Sequence, residues 1–320
     1  MALLVVVLLG PGATSVALAA GSNHVEAMRV RRLVILDPAK AAPPDAELIV
    51  LPVSRGFDQR STSLCWVYAT LSGLESALRV RQPQSAVELS RRTMQVQTIE
   101  DRFLRKIHQT ASYIGERGVA VDAMRLLAEN GLVAFDDFTD IDDPYGSFDI
   151  AGAVDGAVGE PAKIAALQHG LARVYGVPPS TTHLEGVVVS RAALAEAVTA
   201  GQVWQSYAIA NQGAEGYRPH PDPDARAGAV SWFMPAPRIV DRIKAALLAG
   251  YPLEITLGGH CLLLYGAAYD KLGKPTRYYI KDSYPGYFYK ADPARVMENL
   301  VEMSTAKLPA PAEVTPLEGP

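Results

Sequence analysis

An α+β protein, helical in its N-terminal part and antiparallel β in its C-terminal part, is expected from three observations. From Cys65 the apolar residues Val67, Leu71, Leu74, Ala77 and Leu78 recur at spacings of three and four, which gathers them on one helix face. From Pro252 the period changes, and residues 252–257, 260–268 and 276–282 read as strands joined by short turns. The chain has 320 residues, 49% of them hydrophobic, enough to bury one large core or two lobes without disulfides.

Taken in order, residues 1–19 read as a signal peptide. Residues 2–9 are uninterruptedly apolar, Gly10-Pro11-Gly12 breaks the run, and Ala17-Leu18-Ala19 places small residues where a signal peptidase reads. The run is far shorter than the roughly 20 residues that span a bilayer, so no membrane span is expected. Export with so few cysteines fits a bacterial periplasm or exterior. Residues 20–50 form an N-terminal extension, in which 30–52 are expected to supply one or two strands.

The main domain, 51–303, opens with the helix from Cys65, which Pro83 ends. A second helix is expected over about 86–110 and a third over 122–130, stopped by Gly131. A mostly helical insertion spans about 150–232, with amphipathic helices over 161–175 and, capped by Ser190, over 191–200. Within it, residues 217–224 are a proline-rich loop. A helix over 238–249, stopped by Gly250, precedes the three strands; residues 270–275 form a hairpin loop, and Asp292-Pro293 start a closing helix that runs to Leu300. The tail, 304–320, carries four prolines and is expected to be disordered.

A net charge of −4 without a long basic run gives no sign of nucleic acid or an anionic membrane as partner. His108, His169, His183 and His220 lack metal-ligand spacing, so neither a metal site nor a cofactor is indicated. Asp136, Asp137, Asp140, Asp142 and Asp143 read as a solvated acidic turn rather than a cation site. Nothing in the residues points to a particular oligomeric state.

The chemistry lies in two segments, Gln59-Arg60-Ser61-Thr62-Ser63-Leu64-Cys65-Trp66 and Gly259-His260-Cys261-Leu262-Leu263-Leu264-Tyr265-Gly266. A cysteine at a helix N-terminus has its thiolate favoured by unpaired backbone N–H groups, and a histidine beside it completes a nucleophile and base. Cys65 and Cys261 are the only cysteines, and a bridge between them would consume the nucleophile, so both are expected as reduced thiols. Strand alternation turns Cys261 away from the face that His260 uses, which makes it a core residue.

These segments resemble the papain-like cysteine peptidases, in which a glutamine stands six residues before a Cys-Trp pair, as Gln59 does before Cys65-Trp66. The family's base opens a strand, as His260 does, and its third residue lies in an Asn-Ser-Trp run whose counterpart is Asp282-Ser283-Tyr284. The bleomycin hydrolase and aminopeptidase C branch is the most similar, through Gly273-Lys274-Pro275-Thr276-Arg277-Tyr278, Gly286-Tyr287-Phe288 and Asn130-Gly131-Leu132-Val133-Ala134. The resemblance covers about 51–138 and 238–300 and leaves the middle uncovered. It implies a papain-like two-lobed fold, with the catalytic cysteine on a helix of an N-terminal helical lobe and the His and Asp on a C-terminal antiparallel β lobe. It implies Cys65, His260, Asp282 and Gln59 as catalytic residues, Gly118, Trp66 and Gly259 as substrate-binding residues, and a peptide or protein as substrate.

Several positions depart from the family's pattern. Asp282 stands where an Asn is usual, and its charge should raise the His260 pKa. Tyr284 replaces a Trp that shields the His–Asn bond, which predicts a wetter bond. Leu64 fills a position that is usually small or polar, and Arg117-Gly118 keeps only the second glycine of a substrate-binding pair. The short extension 20–50 is too small for the helical inhibitory prosegment of the secreted branch. Two other readings stand beside peptidase: transglutamination or cell-wall peptide amidase chemistry on the same scaffold, and an inactive papain-like binding protein.

Overall fold

The C-terminal strands form the centre of an eight-stranded sheet, and the helix that begins at Cys65 packs across one of its faces. The structure is a computed structural model that describes residues 24–37, 46–60, 62–109, 118–141, 146–209, 232–234, 236–284 and 286–306. The expected signal peptide, the proline-rich loop 217–224 and residues 307–320 lie outside the described residues, as do Arg117, Asp142 and Asp143.

The elements run as helix α1 (24–34), β1 (Glu47–Val50), α2 (Cys65–Arg81), α3 (Arg91–Ile107), α4 (Ala120–Asn130), α5 (Gly146–Gly156) and α6 (Glu160–Tyr175). The hairpin β2 (Thr181–Leu184) and β3 (Val187–Ser190), α7 (Arg191–Thr199), β4 (Trp204–Ile209), β5 (Trp232–Met234) and α8 (Ala236–Leu248) follow. The chain then forms β6 (Leu253–Leu257), β7 (His260–Tyr269), β8 (Pro275–Lys281), β9 (Phe288–Ala291), α9 (Pro293–Asn299) and β10 (Leu300–Ala306). The sheet order is β5-β4-β10-β6-β7-β8-β9, with β1 paired to the far half of β7. All pairs are antiparallel except β4 with β5.

Alternation along the strands separates two cores. Leu253, Ile255, Leu257, Leu262, Leu264 and Met303 face a core shared with α8 residues Ile239 and Ile243 and α1 residues Val30 and Val34. Cys261, Trp204 and Ala306 face the other way, onto α2, α4 and α7. A third cluster joins α3, α5 and α6 through Val96, Phe103, Leu167 and Leu171. The sheet and the helical assembly are thus the two halves expected for an α+β chain.

Four expectations are corrected. Of the stretch 30–52 expected as one or two strands, residues 30–34 are the end of helix α1, because Ala27, Val30 and Val34 recur at helical spacing and all three are buried; 47–50 are the strand β1. The second helix starts at Arg91, not near Ala86, because Ser90 caps it by accepting from Thr93 N while Leu89 bridges Ala134. Residues 304–306, expected in the disordered tail, form the end of β10, where Ser304 and Thr305 pair with β4 and are fully buried. The segment expected as a mostly helical insertion also contributes β4 and β5 to the main sheet.

Helix α2 is pinned by buried charge. Glu75, completely buried, binds Arg91 in fork fashion (Nη1–Oε1 2.6 Å, Nη2–Oε2 3.0 Å) and accepts from Leu89 N at 2.8 Å. Lys281, at the end of β8, donates to Ser72 Oγ of α2 at 3.0 Å and to Ser54 Oγ at 2.8 Å. Burial pulls its pKa down to about 7, against the attraction of Glu75. The acidic turn is also committed: Asp137 accepts from Thr182 Oγ1 (2.6 Å) and His183 N (2.7 Å), and Asp140 accepts from Arg92 N (3.0 Å) at the start of α3.

Replacing Glu75 by Ala leaves the Arg91 guanidinium buried without its counter-charge and is expected to cost about 3–5 kcal/mol of stability, read as a lower urea midpoint. An unchanged midpoint would show that the pair does not hold α2 in place.

Candidate active site

Cys65 is the first residue of α2. The preceding Leu64, buried in the helical core, occupies the cap position without a side-chain hydrogen bond to the helix. A residue that cannot cap leaves the first-turn N–H groups without an internal acceptor, next to the sulfur. His260 is the first residue of β7, and the packing of α2 on β7 brings the two starts together. Cys65 lies against Cys261 and His260, both of which act on its ionisation, and it is partly exposed.

These contacts set the charge state. The hydrogen bond from Cys261 is the largest influence on Cys65; together with the hydrogen bond and charge of His260 it overcomes burial and holds the Cys65 pKa well below that of an ordinary thiol. For His260, burial opposes the charged ring. Hydrogen bonds to Asp282 and Cys65, with their charges, prevail and push its pKa up to about 10. Both shifts favour the thiolate–imidazolium form of the pair.

His260 Nε2 is bonded to Asp282 Oδ1 at 2.7 Å, which leaves Nδ1 as the ring nitrogen for the thiol. Asp282 follows β8 directly, and its own N–H donates to Tyr287 O at 2.9 Å, closing the turn that aims the carboxylate. The same Oδ1 also accepts from Ser283 N at 2.7 Å. The wetter bond expected from Tyr284 is corrected: His260 is 3% exposed and Asp282 2%. Tyr284 itself is 6% exposed, its ring 6.3 Å from that of His260, with His24 of α1 stacked beyond it at 5.0 Å. The tyrosine thus does the shielding with help from an N-terminal helix.

Gln59 is buried and held at both ends of its amide. Its Nε2 donates to Thr62 O at 2.8 Å, its Oε1 accepts from Ser283 Oγ, and its backbone N–H donates to Ser283 O at 2.8 Å. Ser283 thereby links the residue after Asp282 to the loop that leads into Cys65.

Trp66, expected to bind substrate, is 1% exposed and lies beneath Gly118: a Cβ added to Gly118 would come within 2.8 Å of the indole ring. It supports the backbone at Gly118 from below, and only a glycine fits there. Gly259 meets α1 beside the Glu26 carboxylate, whose pKa its backbone N–H helps to lower. Arg29 holds that carboxylate through Nε at 2.7 Å. Neither this helix nor its contact beside His260 was foreseen, although the Ala27, Val30, Val34 spacing was available as a signal.

Cys261 needs a finer correction. It is a core residue, 5% exposed and facing away from the core that Leu262 and Leu264 enter, as alternation requires. The face it uses, however, is the one that carries α2, so it touches Cys65. Thr256 Oγ1 lies 3.5 Å from its sulfur, and the buried Glu254 packs behind it, its carboxyl pushed up to about 8 by burial and by Glu302.

Among the described residues no helix is long and apolar enough to cross a membrane, and no group of acidic, histidine and cysteine side chains could hold a metal ion. No protein-family profile and no curated sequence matches the chain. Its structure is similar to PepW from Lactobacillus rhamnosis HN001, with a TM-score of 0.64 at 14% identity over 93% of this chain and 90% of that one. Weaker likenesses are to a structure from the mite allergen pair Blo t 1 and Der p 1 (TM-score 0.42, 14% identity, 94% and 83% covered) and to the digestive procathepsin L2 proteinase of Tenebrio molitor larval midgut (0.39, 12%, 80% and 65%). The first of these likenesses, spanning nearly all of both chains, establishes that the protein has the papain-like fold.

Proposed function

We propose that the chain is a cysteine peptidase that cleaves peptide bonds through a thioester. The observation that carries this reading is the order Cys65, His260, Asp282, with His260 bonded to Asp282, the thiol pKa lowered and the imidazole pKa raised. The solved structures it resembles support the same general class. The Cys65 thiolate attacks the scissile carbonyl carbon, and the carbonyl oxygen takes up the negative charge. The Cys65 backbone N–H, at an uncapped helix start, and the second N–H of the Gln59 amide are the donors for that oxygen. Imidazolium Nδ1 then protonates the leaving amine, the neutral ring takes a proton from water, and hydroxide attack on the thioester returns the thiolate. Asp282 holds Nε2 so that one ring nitrogen always faces the sulfur.

Gly118 and Gly259 supply backbone on either side of this centre, and Trp66 fixes the first of them. The leader-like residues 1–19 support export to a periplasm or the exterior.

Cys65→Ala is expected to abolish both peptide hydrolysis and labelling by a thiol-directed epoxide; hydrolysis that persists in the purified variant would remove Cys65 from the mechanism. Gln59→Ala removes one oxyanion donor and should lower kcat by about a hundred- to a thousandfold with little change in KM. A rise in KM with kcat unchanged would assign Gln59 to substrate binding instead.

Asp282→Asn should remain active over a narrower pH range. Without the carboxylate the imidazolium loses its proton at lower pH, which draws the alkaline limb of kcat/KM down. The thiolate, less well paired, needs a higher pH to form, which moves the acid limb up. An unaltered pH profile would show that Asp282 does not set the His260 charge.

A further inference from the structure

We propose that Cys65 and Cys261 form a redox couple, in which Cys261 is the resolving thiol that converts an oxidised nucleophile into a reversible disulfide. Cys65 packs against the buried cluster that holds Cys261, each thiol shifts the ionisation of the other, both are free, and the chain contains no other cysteine. The hydrolytic mechanism uses only Cys65, so it leaves the second thiol of a contacting pair without a chemical task.

The positions favour this chemistry. Cys65 is partly exposed and Cys261 is buried behind it, so an oxidant from solvent meets Cys65 first. Cys261 sits on β7, paired across to Thr256 of β6, and α2 covers it from the opposite side, so its sulfur has Cys65 as the reactive neighbour.

With hydrogen peroxide as oxidant the steps balance. The Cys65 thiolate attacks one peroxide oxygen, the O–O bond breaks, and hydroxide leaves to take up a proton as water, giving a sulfenic acid. The Cys261 sulfur then attacks the Cys65 sulfur, the S–O bond breaks, and the departing hydroxyl leaves as water with the Cys261 proton. Two thiols lose two electrons in all and peroxide is reduced to two waters. Before oxidation, the Cys65 thiolate is among the influences that keep Cys261 protonated; sulfenic acid formation removes that charge and so frees Cys261 to react at the moment it is needed. Thiol reductants reverse the bond by exchange.

The inference rests on the thiolate assigned to Cys65 above, but its readout is a mass rather than hydrolysis, so either can fail alone. The full chain is treated with a small excess of hydrogen peroxide, blocked with iodoacetamide and weighed intact. The expected product is lighter than the reduced chain by about 2 Da, unalkylated, yields a single cross-linked peptide pair containing Cys65 and Cys261, and regains both thiols with dithiothreitol. Cys261→Ala treated in the same way should instead gain about 16, 32 or 48 Da on Cys65, the heavier forms resisting dithiothreitol. A wild-type chain that gains oxygen on Cys65 without the cross-linked peptide, or one whose Cys65 takes up iodoacetamide unchanged after peroxide, would overturn the proposal, and the wild-type peptide map decides the matter even where the variant fails to fold.

Discussion

The close seating of α2 against β7 is the constraint on which the site depends. Cys65 begins the helix and His260 begins the strand, so the distance between sulfur and imidazole is set by how these two elements pack and by nothing local to either. Gly73 permits the approach: a Cβ there would stand 2.9 Å from Trp204 Cη2 and 3.4 Å from Leu263 Cδ1. Buried polar groups then fix the helix in rotation and along its axis. Glu75 is locked to Arg91 and the backbone of Leu89, and Ser72 is held by Lys281 from the strand that ends one residue before Asp282. One buried lysine thus links the helix that begins at Cys65 to the strand that leads into Asp282.

The same packing gives two chemically identical thiols opposite characters. Cys65, beside an imidazolium and at a helix start without a side-chain cap, is held as a thiolate. Cys261, against that thiolate and the buried Glu254, is held as a thiol whose proton serves the first. The charged pair is kept from water by aromatic rings, Tyr284 directly and His24 behind it, with Tyr287 bonded to the His24 ring at 3.2 Å. Helix α1 therefore does two things at this edge of the site, covering Tyr284 and setting the Glu26 carboxylate beside Gly259.

Much of the fold was legible wherever a local signal was strong. Periodicity marked α2, turn residues separated β6, β7 and β8, and Ser190 and Asp292 capped α7 and α9 as their side chains predict. The failures share a cause. Residues 33–36 make an apolar run that looks extended until Ala27 and Val30 are counted with Val34, and residues 304–306 look like tail because small and hydroxylated side chains carry little pattern. Such residues become strand because β4 pairs with all three and β6 pairs with Ser304 on the other side.

Residue identities alone determined the chemistry on offer: one cysteine ahead of a helical period, one histidine opening a strand, an aspartate at the end of the next strand, and a glutamine upstream. Those are properties of short segments, and short-range patterns report them. Only the tertiary structure decided that Cys261 meets Cys65, that Trp66 supports Gly118 from beneath, and that α1 closes over His260 and its tyrosine. Alternation tells which residues share a face, but not which element will cover it. That is settled by the competition among apolar faces for burial across the whole chain, and here α2 won the face on which the second thiol stands.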